Sequence, residues 1–450
     1  MFVVFFSLLI VVLGCSATQD PGTYISGQIT VDPDIDSTED YSNIELLVAT
    51  RDTQGTPTDT LFYATTDQQG YFSGTARINR PGVYPFLLSR GGNPVGVISA
   101  VLAKGDTVRI DSELPHIEER TTVSSNENRA FDLYERLETN FNRVARFIDA
   151  GLVAEDSVTI ELQKWSDLYW DLYNQEHGTY ASIRSATSSV TLLEGWNDSL
   201  MIDRIHTVLD RDLDVRATMR RQAVRYYAER EGLDRSLQFL DRVQSLSTDP
   251  DRQLEIKAHR IELLFDSART IDAEQRLAQF RRDYAGRDEA IQWADIIAYE
   301  LQTFAPGQPF PDFSFVTTDG ETITNSTLAG QPYMLEFTRL DNPLYLEQFE
   351  RTVAIYHVYS NFGLNILTVP LGTSPVVLEA FFEERVKLWE VAEPGTFDAE
   401  EIVEFYNLRA IPTRFLVDDA GNIIRRYTHR EYDQIVRGLQ QVITQQEAEL

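Results

Sequence analysis

The sequence predicts a multidomain protein with an N-terminal β-sandwich, an α-helical middle and a C-terminal α/β domain. The chain has 450 residues, and at roughly 150 residues per domain this length suits about three domains. Hydrophobic residues make up 42% of the chain, enough for packed cores. The apolar pattern changes twice along the chain, from strand-like to helical and then to alternating strand and helix signals.

Charge and cysteine content exclude several functions. The chain carries 70 Asp and Glu against 40 Lys and Arg, a formal net charge of −30. Such a charge repels phosphate backbones, so we expect no nucleic-acid partner. The single cysteine, Cys15, rules out an internal disulfide, a CxxC pair and a cysteine-based metal cluster. The six histidines show no ligand-pair spacing, so we expect no metal and no cofactor.

The N-terminus predicts export and lipidation. Residues 2–12 are apolar except for Ser7, too short for the roughly 20 residues of a membrane span but suited to a signal peptide. The residues up to Cys15 read Val-Leu-Gly-Cys and resemble the lipobox of bacterial lipoproteins. The resemblance implies a signal peptide over 1–14, lipidation of Cys15 and, from the neutral Ser16, an outer-membrane location that we expect to face the periplasm.

Two features depart from the lipobox pattern. The segment before the apolar stretch has no Lys or Arg, and Leu13 is bulkier than the residue usual at its position. The alternatives are an ordinary signal peptide with an incidental cysteine, or a misplaced start codon. If Cys15 is the first mature residue, residues 15–22 form a linker, and acylation with more than one chain gives stable anchoring.

Residues 23–115 are predicted to form the β-sandwich. β-rich runs lie at 24–31, 44–49 and 83–88, separated by segments rich in Gly, Pro, Asp and Asn. The layout resembles a β-domain that precedes thioredoxin-like domains in envelope lipoproteins of Bacteroidota.

Residues 120–304 are predicted to be helical. Apolar and aromatic residues recur at helical spacing, as at Trp165, Tyr169 and Tyr173. Three similar segment starts, at Arg216, Asp251 and Glu289, are spaced by 35 and 38 residues. This period is close to that of tetratricopeptide-type helical hairpins. An irregular helical bundle is the alternative.

Residues 305–446 carry the most specific signals. The chain reads Gly-Gln-Pro-Phe-Pro-Asp-Phe over 307–313, Ala-Ile-Pro-Thr over 410–413 and Val-Asp-Asp-Ala-Gly-Asn-Ile over 417–423. In this order the segments resemble TlpA/ResA-type envelope thioredoxins of the peroxiredoxin-like AhpC/TSA superfamily. The resemblance implies a thioredoxin-like fold with a cis-proline at Pro412. The backbone at Ile411 and Pro412 would then form an edge for extended peptides.

The departure from that family lies at its active site. There, the strand that ends near Phe337 runs into a W-C-x-x-C turn. In this chain the two cysteine positions correspond to Asn342 and Tyr345. Neither residue can form a disulfide. Asn342 followed by Pro343 suits the start of a helix, so we expect the turn to be structural, with no catalytic residue.

Three functional hypotheses follow. The first is a non-catalytic binding or scaffold module in a lipid-anchored envelope protein, with a protein or peptide partner. The second is a TlpA-like thiol-disulfide oxidoreductase, which the family favours and the missing cysteines disfavour. The third is a partner of polysaccharide-uptake machinery, which also uses lipoproteins.

Overall fold

The computed structural model describes residues 22–51 and 57–449. The chain forms two compact units, Met1–Phe239 and Leu240–Leu450. Cys15 and the predicted signal peptide lie outside the described residues, so both stay predictions. Within the described ranges, no helix has the length and apolar content needed to cross a membrane.

The first unit begins with a region rich in β-sheet, as predicted. Its strands are β1 (Thr23–Val31), β2 (Ile44–Arg51), β3 (Pro57–Thr65), β4 (Tyr71–Ala76), β5 (Gly82–Arg90), β6 (Asn93–Leu102), β7 (Thr107–Leu114) and β8 (Thr122–Ser124). They form two four-stranded sheets, ordered β4-β1-β7-β8 and β3-β2-β5-β6. Alternate residues of β1, such as Ile25 and Ile29, are buried in an apolar core to which both sheets contribute.

Helices follow, which confirms the predicted helical middle. They are α1 (Ile117–Arg120), α2 (Asn126–Asp149), α3 (Glu155–Gln175), α4 (Tyr180–Leu193), α5 (Asp198–Asp212), α6 (Ala217–Arg230) and α7 (Leu233–Leu246), the last continuing into the second unit. Side chains of Ser125, Thr179 and Asn197 cap α2, α4 and α5. The aromatic stripe of α3 belongs to the core, because Tyr169 and Tyr173 are fully buried.

The second unit contains further helices before its α/β domain. These are α8 (Pro250–Asp266), α9 (Thr270–Asp283) and α10 (Asp288–Thr303). Helices α6, α8 and α10 begin within two residues of the segment starts seen in the sequence. That these helices form a tetratricopeptide-type array stays a prediction.

The C-terminal domain is built on a mixed sheet. Its strands are β9 (Ser314–Val316), β10 (Thr322–Thr324), β11 (Tyr333–Thr338), β12 (Asn365–Pro370), β13 (Glu390–Val391), β14 (Thr413–Val417) and β15 (Ile423–Thr428). Its helices are α11 (Pro343–Tyr359), α12 (Pro375–Glu383), α13 (Ala399–Phe405) and α14 (Ile435–Glu449). The five-stranded sheet has the order β13-β12-β11-β14-β15. β11, β12 and β13 are parallel, and β14 and β15 are antiparallel to their neighbours.

This sheet separates two apolar clusters. Leu335 and Phe337 of β11 face a cluster that contains residues of α13 and the segment before β9. Met334 faces the other cluster, formed with α11, α12 and α14. Helices on both faces of a mixed sheet match the predicted thioredoxin-like α/β fold.

Helix α10 packs directly against this domain. Phe304, which follows the helix, belongs to the aromatic cluster on one face of the sheet. The buried Glu300 accepts hydrogen bonds from Asn407 Nδ2 at 2.6 Å, Arg426 Nη1 at 2.9 Å and Arg409 Nη2 at 3.3 Å. The end of the helical region and the α/β domain therefore share one core.

Helix α12 is shorter than the sequence pattern indicates. The pattern suggests a helix from Pro375 to Trp389, but α12 ends at Glu383. Beyond it, Lys387 Nζ donates to Thr318 Oγ1 at 2.8 Å, and Trp389 Nε1 donates to Thr368 Oγ1 at 2.9 Å. These tertiary contacts draw the chain into β13 and end the helix.

Candidate functional site

The turn between β11 and α11 is shaped by a helix cap. Asn342 Oδ1 accepts hydrogen bonds from the backbone N–H of Leu344 at 2.9 Å and of Tyr345 at 3.3 Å. Pro343 is the first residue of the helix, where a missing N–H costs nothing. Local sequence thus explains why α11 starts at Pro343.

Asn342 also contacts the loop before β14. Its Nδ2 donates to the carbonyl oxygen of Ile411 at 3.1 Å. The Ile411–Pro412 peptide is cis, with Pro412 buried and Ile411 half-buried. The structure therefore brings together two of the positions singled out in the sequence, and the Asn342 amide is engaged on both sides within the protein.

Tyr345 lies under the turn rather than at the surface. Its side chain is 1% exposed and packs against Phe349 and Phe381, each with ring centroids 6.0 Å away. Burial, and next the negative charge of Glu336, raise the pKa of the Tyr345 hydroxyl well above its usual range. The phenol therefore stays protonated at neutral pH and has no access to a substrate in solvent.

A row of buried polar side chains crosses the sheet beneath the turn. Glu336 on β11 lies opposite Thr368 on β12 and Arg414 on β14, and all three are fully buried. Arg414 Nε donates to Glu336 Oε2 at 2.5 Å, and Thr368 Oγ1 donates to Glu336 Oε1 at 3.1 Å. The carboxylate is thus neutralised inside the sheet.

Further contacts extend this buried row. Arg414 Nη1 donates to Gln348 Oε1 on α11 at 2.9 Å, and the Trp389 indole donates to Thr368. The Arg414 guanidinium lies 4.7 Å from the centre of the Tyr432 ring, and its Nη2 has no hydrogen-bond partner in the described part of the chain. A cation above an aromatic face offsets part of the missing hydrogen bond.

This row was not predicted from the sequence. The available signal was a charged residue inside each of two apolar segments, Tyr-Met-Leu-Glu-Phe-Thr and Thr-Arg-Phe-Leu-Val. Every residue of β11 and β14 is buried. Buried charges are found almost only in pairs, so two such residues on adjacent strands would have predicted the ion pair of Glu336 with Arg414.

One ion pair marks the exposed side of the turn. Arg339 Nη2 donates to Asp341 Oδ2 at 2.9 Å, and Arg339 Nε donates to Asp341 Oδ1 at 3.1 Å. The guanidinium holds the pKa of the Asp341 carboxyl below its usual value. Both side chains are more than half exposed, so this pair lies in solvent with its two charges matched.

The turn has no thiol, and several of its polar side chains are used by the fold itself. Residues 338–345 include no cysteine. The Asn342 amide is committed to hydrogen bonds, and Tyr345 is buried. Over residues 22–51 and 57–449, no group of three His, Cys, Asp or Glu side chains is placed to hold a metal ion.

Comparison with known proteins supports the class of the C-terminal domain. Residues 306–428 match the AhpC/TSA family, which confirms the predicted superfamily for this part of the chain. No curated protein matches the chain.

Several solved structures resemble the same region. A thiol:disulfide interchange protein of the thioredoxin family from Chlorobium tepidum is 20% identical, with 30% of this chain and 98% of that chain covered and a TM-score of 0.26. The thioredoxin domain of a thiol-disulfide oxidoreductase from Bacteroides vulgatus is 16% identical, with 30% and 99% covered and a TM-score of 0.28. A thiol:disulfide interchange protein from a Bacteroides species is 17% identical, with 30% and 89% covered and a TM-score of 0.27.

Proposed function

We propose that the C-terminal domain is a non-catalytic binding module of a cell-envelope lipoprotein. The observation that carries this proposal is the use of the two family cysteine positions for structure. Asn342 caps α11 and holds the Ile411 carbonyl, and Tyr345 fills the core below. A thioredoxin-like fold without thiols keeps its surface for recognition.

The surface around the turn suits an extended peptide with apolar side chains. The Leu371 backbone N–H donates to the Thr338 carbonyl at 2.7 Å, so the loop after β12 lies beside the turn. At the start of α12, Val376 is 75% exposed and Val377 is 46% exposed. Exposed apolar side chains on a protein surface are typical of peptide-binding sites.

Capture of partners from native envelopes tests the binding face. The double variant Val376→Asp/Val377→Asp places two charges on this face, and we expect it to lose the partners that crosslink to the wild-type chain. Val358→Asp is the matched control. Val358 is 55% exposed and lies near the C-terminal end of α11, whereas the turn lies at the N-terminal end of this helix. If the double variant retains every partner, the proposed face is wrong.

An oxidoreductase is the second candidate, because the AhpC/TSA match covers the domain that would carry this activity. Disulfide reduction needs a thiolate, and the sequence offers only Cys15. We therefore expect the full chain not to reduce insulin disulfides in the presence of dithiothreitol above the uncatalysed rate. The Cys15→Ser variant is the control. Turnover that persists in this variant would contradict the missing-thiol argument, and turnover that disappears would assign the activity to Cys15.

We also propose that Cys15 anchors the protein in the outer membrane, facing the periplasm. The lipobox-like sequence around Cys15 supports this proposal. Radiolabelled palmitate should be incorporated into the wild-type protein and not into Cys15→Ser, which should move to the soluble periplasmic fraction. Labelling of both proteins, or of neither, would contradict the proposed anchor.

A further inference from the structure

The sheet β3-β2-β5-β6 carries a row of apolar side chains on its outer face. Leu47 on β2 pairs with Tyr63 on β3 and with Leu87 on β5, and Leu87 pairs with Val97 on β6. The residue that follows each of them along its strand, such as Ile98, belongs to the buried core. Because successive side chains of a strand point to opposite faces, these four side chains, called here the apolar row, lie side by side on the face directed away from the core.

The apolar row is exposed in the folded chain. Tyr63 at one end is 56% exposed and Val97 at the other end is 52% exposed, while Leu47 and Leu87 are half-buried between them. Val83, four residues before Leu87 on β5, adds another apolar side chain to this face and is 42% exposed. A contiguous exposed apolar surface marks a contact with a protein or with a membrane.

One side of the apolar row is bordered by polar groups. Tyr63 Oη donates to Glu45 Oε1 at 3.2 Å, and Ser89 Oγ donates to Glu45 Oε2 at 2.7 Å. Glu45 lies two residues before Leu47 on β2, so its carboxylate is held beside the row and not within it. A tyrosine ring on an apolar surface, with its hydroxyl on a polar group, is typical of the boundary between hydrocarbon and water.

The N-terminal linker keeps this face close to the proposed anchor. Thr23 Oγ1 donates to the carbonyl oxygen of Ala103 at 2.7 Å, so β1 starts beside the end of β6. Val97 lies six residues before Ala103, which corresponds to about 20 Å along the chain. Residues 16–22 provide seven residues between Cys15 and Thr23, a span of at most about 25 Å. An acyl chain on Cys15 is therefore within reach of a bilayer that contacts this face.

We propose that the apolar row docks the N-terminal β-sheet region on a zwitterionic phospholipid surface. The four side chains enter the layer between the headgroups and the acyl chains, and Glu45 stays at the level of the headgroups. This proposal rests on the proposed lipidation of Cys15, which holds the chain at the bilayer. A second copy of the chain fits this face less well, because two chains of net charge −30 repel each other, whereas a zwitterionic surface carries no net charge.

A single labelled thiol on the acylated chain tests the contact with lipid. The sequence has no cysteine besides Cys15, whose sulfur is consumed by acylation, so Val97→Cys supplies one position for an environment-sensitive fluorophore. The acylated protein is reconstituted with phosphatidylcholine vesicles in which part of the lipid carries a nitroxide high on its acyl chain. We expect the fluorophore at position 97 to lose most of its emission relative to vesicles without nitroxide, because nitroxides quench a fluorophore at contact.

Tyr24→Cys is the matched control for nearness to the anchor. Tyr24 is 46% exposed and is the second residue of β1, but its side chain lies on the outer face of the other sheet. Its fluorophore is therefore closer to Cys15 along the chain than the one at position 97 and is directed away from the apolar row. We expect this fluorophore to keep its emission in the same nitroxide vesicles.

Charges placed in the apolar row test whether its side chains make the contact. With the fluorophore at Val83→Cys, nitroxide lipid should quench the emission, and the added changes Tyr63→Asp/Val97→Asp should restore it, because a carboxylate is disfavoured in an apolar layer. Both side chains are more than half exposed, so the variant is expected to fold, and its thermal unfolding curve verifies this. Quenching that persists in the charged variant would contradict a contact through the row.

Three further results would overturn the docking. Equal quenching at positions 97 and 24 would show that the anchor alone brings the chain near the lipid. A fluorophore at position 97 that is shielded from water but not quenched by nitroxide lipid would assign the row to a second copy or another protein. No shielding and no quenching on a chain that mass spectrometry shows to be acylated would reject the docking and leave the anchor intact. If the wild-type chain carries no acyl group and Cys15 reacts with the fluorophore, the anchor fails, and the docking fails with it.

Discussion

Asn342 makes two structural contacts at once, one through each end of its amide. Its oxygen caps α11, and its nitrogen holds the Ile411 carbonyl. The first contact could be predicted, because Asn before Pro is a familiar helix start. The second joins positions 69 residues apart, and no local pattern in the sequence indicates such a contact.

Replacement of Asn342 measures both contacts. Loss of a cap costs about 1 kcal/mol, and loss of the bond to Ile411 adds about 1 kcal/mol. Asn342→Ala should therefore lower the free energy of unfolding by about 2 kcal/mol in urea titrations. Ser374→Ala, which removes the cap of α12 alone, is the matched comparison and should cost about half as much. Equal losses in the two variants would show that the Ile411 contact contributes nothing.

We expect the contributions of Glu336 and Arg414 to the free energy of unfolding to depend strongly on each other. Glu336→Gln leaves Arg414 buried without a counter-charge and should destabilise the domain by about 3–5 kcal/mol. The double variant Glu336→Leu/Arg414→Met removes both charges and should cost less than either single change, since apolar residues of similar volume often replace a buried pair well. Chemical denaturation of the single and double variants measures this. Additive losses would contradict the coupling.

Asp36 in the first unit provides a pH prediction. Hydrogen bonds from Thr38 and Arg90 lower its pKa from 3.8 to about 2. Because the folded pKa is the lower one, the carboxylate stabilises the fold above pH 3.8, and this contribution is lost as the pH falls towards 2. Titration by NMR should show the Asp36 pKa moving up towards its usual value in Thr38→Val. An unchanged pKa would exclude Thr38 as its main cause.

At the scale of elements, the sequence predicts those with regular periodicity and misses the effects of distant contacts. The alternation in β1 and the aromatic spacing in α3 are local signals, and the structure has both elements. The early end of α12 depends on two hydrogen bonds to distant strands. Lys387 donates to Thr318, between β9 and β10, and Trp389 donates to Thr368 on β12. The polar row across the sheet depends on strand register. Neither register nor tertiary contact is encoded in a window of neighbouring residues.

The packing of the end of helix α10 against the C-terminal domain can also be tested. Phe304 is fully buried among Tyr406, Phe405 and Phe415, with ring centroids 5.9, 6.5 and 5.3 Å away. Phe304→Ala should lower the free energy of unfolding of the second unit by about 3–5 kcal/mol.

Phe147→Ala is the control for this change, because Phe147 is 55% exposed and its truncation should change the free energy of unfolding by no more than about 0.5 kcal/mol. Guanidinium denaturation followed by far-UV circular dichroism measures both variants. If Phe304→Ala were as mild as the control, α10 would not be part of the domain core.

At the scale of the whole molecule, the net charge of −30 is the dominant electrostatic feature. Many acidic side chains form ion pairs with basic ones. Asp283, for example, pairs with Lys257 at 2.7 Å. The excess of acidic groups over basic ones nevertheless repels itself. Composition alone predicts this excess of negative charge, because folding does not change the number of charged side chains.

Salt should therefore stabilise the chain. Between about 10 mM and 1 M salt the screening length falls from about 30 Å to about 3 Å, which weakens the repulsion between unpaired carboxylates. We expect the midpoint of thermal unfolding to rise by about 2–4 °C, the shift that about 1 kcal/mol produces in units of about 200 residues. Scanning calorimetry in potassium chloride measures it. A midpoint that falls with added salt would show that attractive ion pairs outweigh the repulsion.

The charged pair inside the C-terminal sheet also bears on how its strands align during folding. Consecutive side chains of a strand point to opposite faces, so a slip of one residue between β11 and β14 would turn Arg414 away from Glu336 and towards the aromatic cluster on the other face. Each buried charge would then lose its counterpart in an apolar environment. The pair of Glu336 and Arg414 thus disfavours every pairing of β11 and β14 in which the two side chains point to opposite faces.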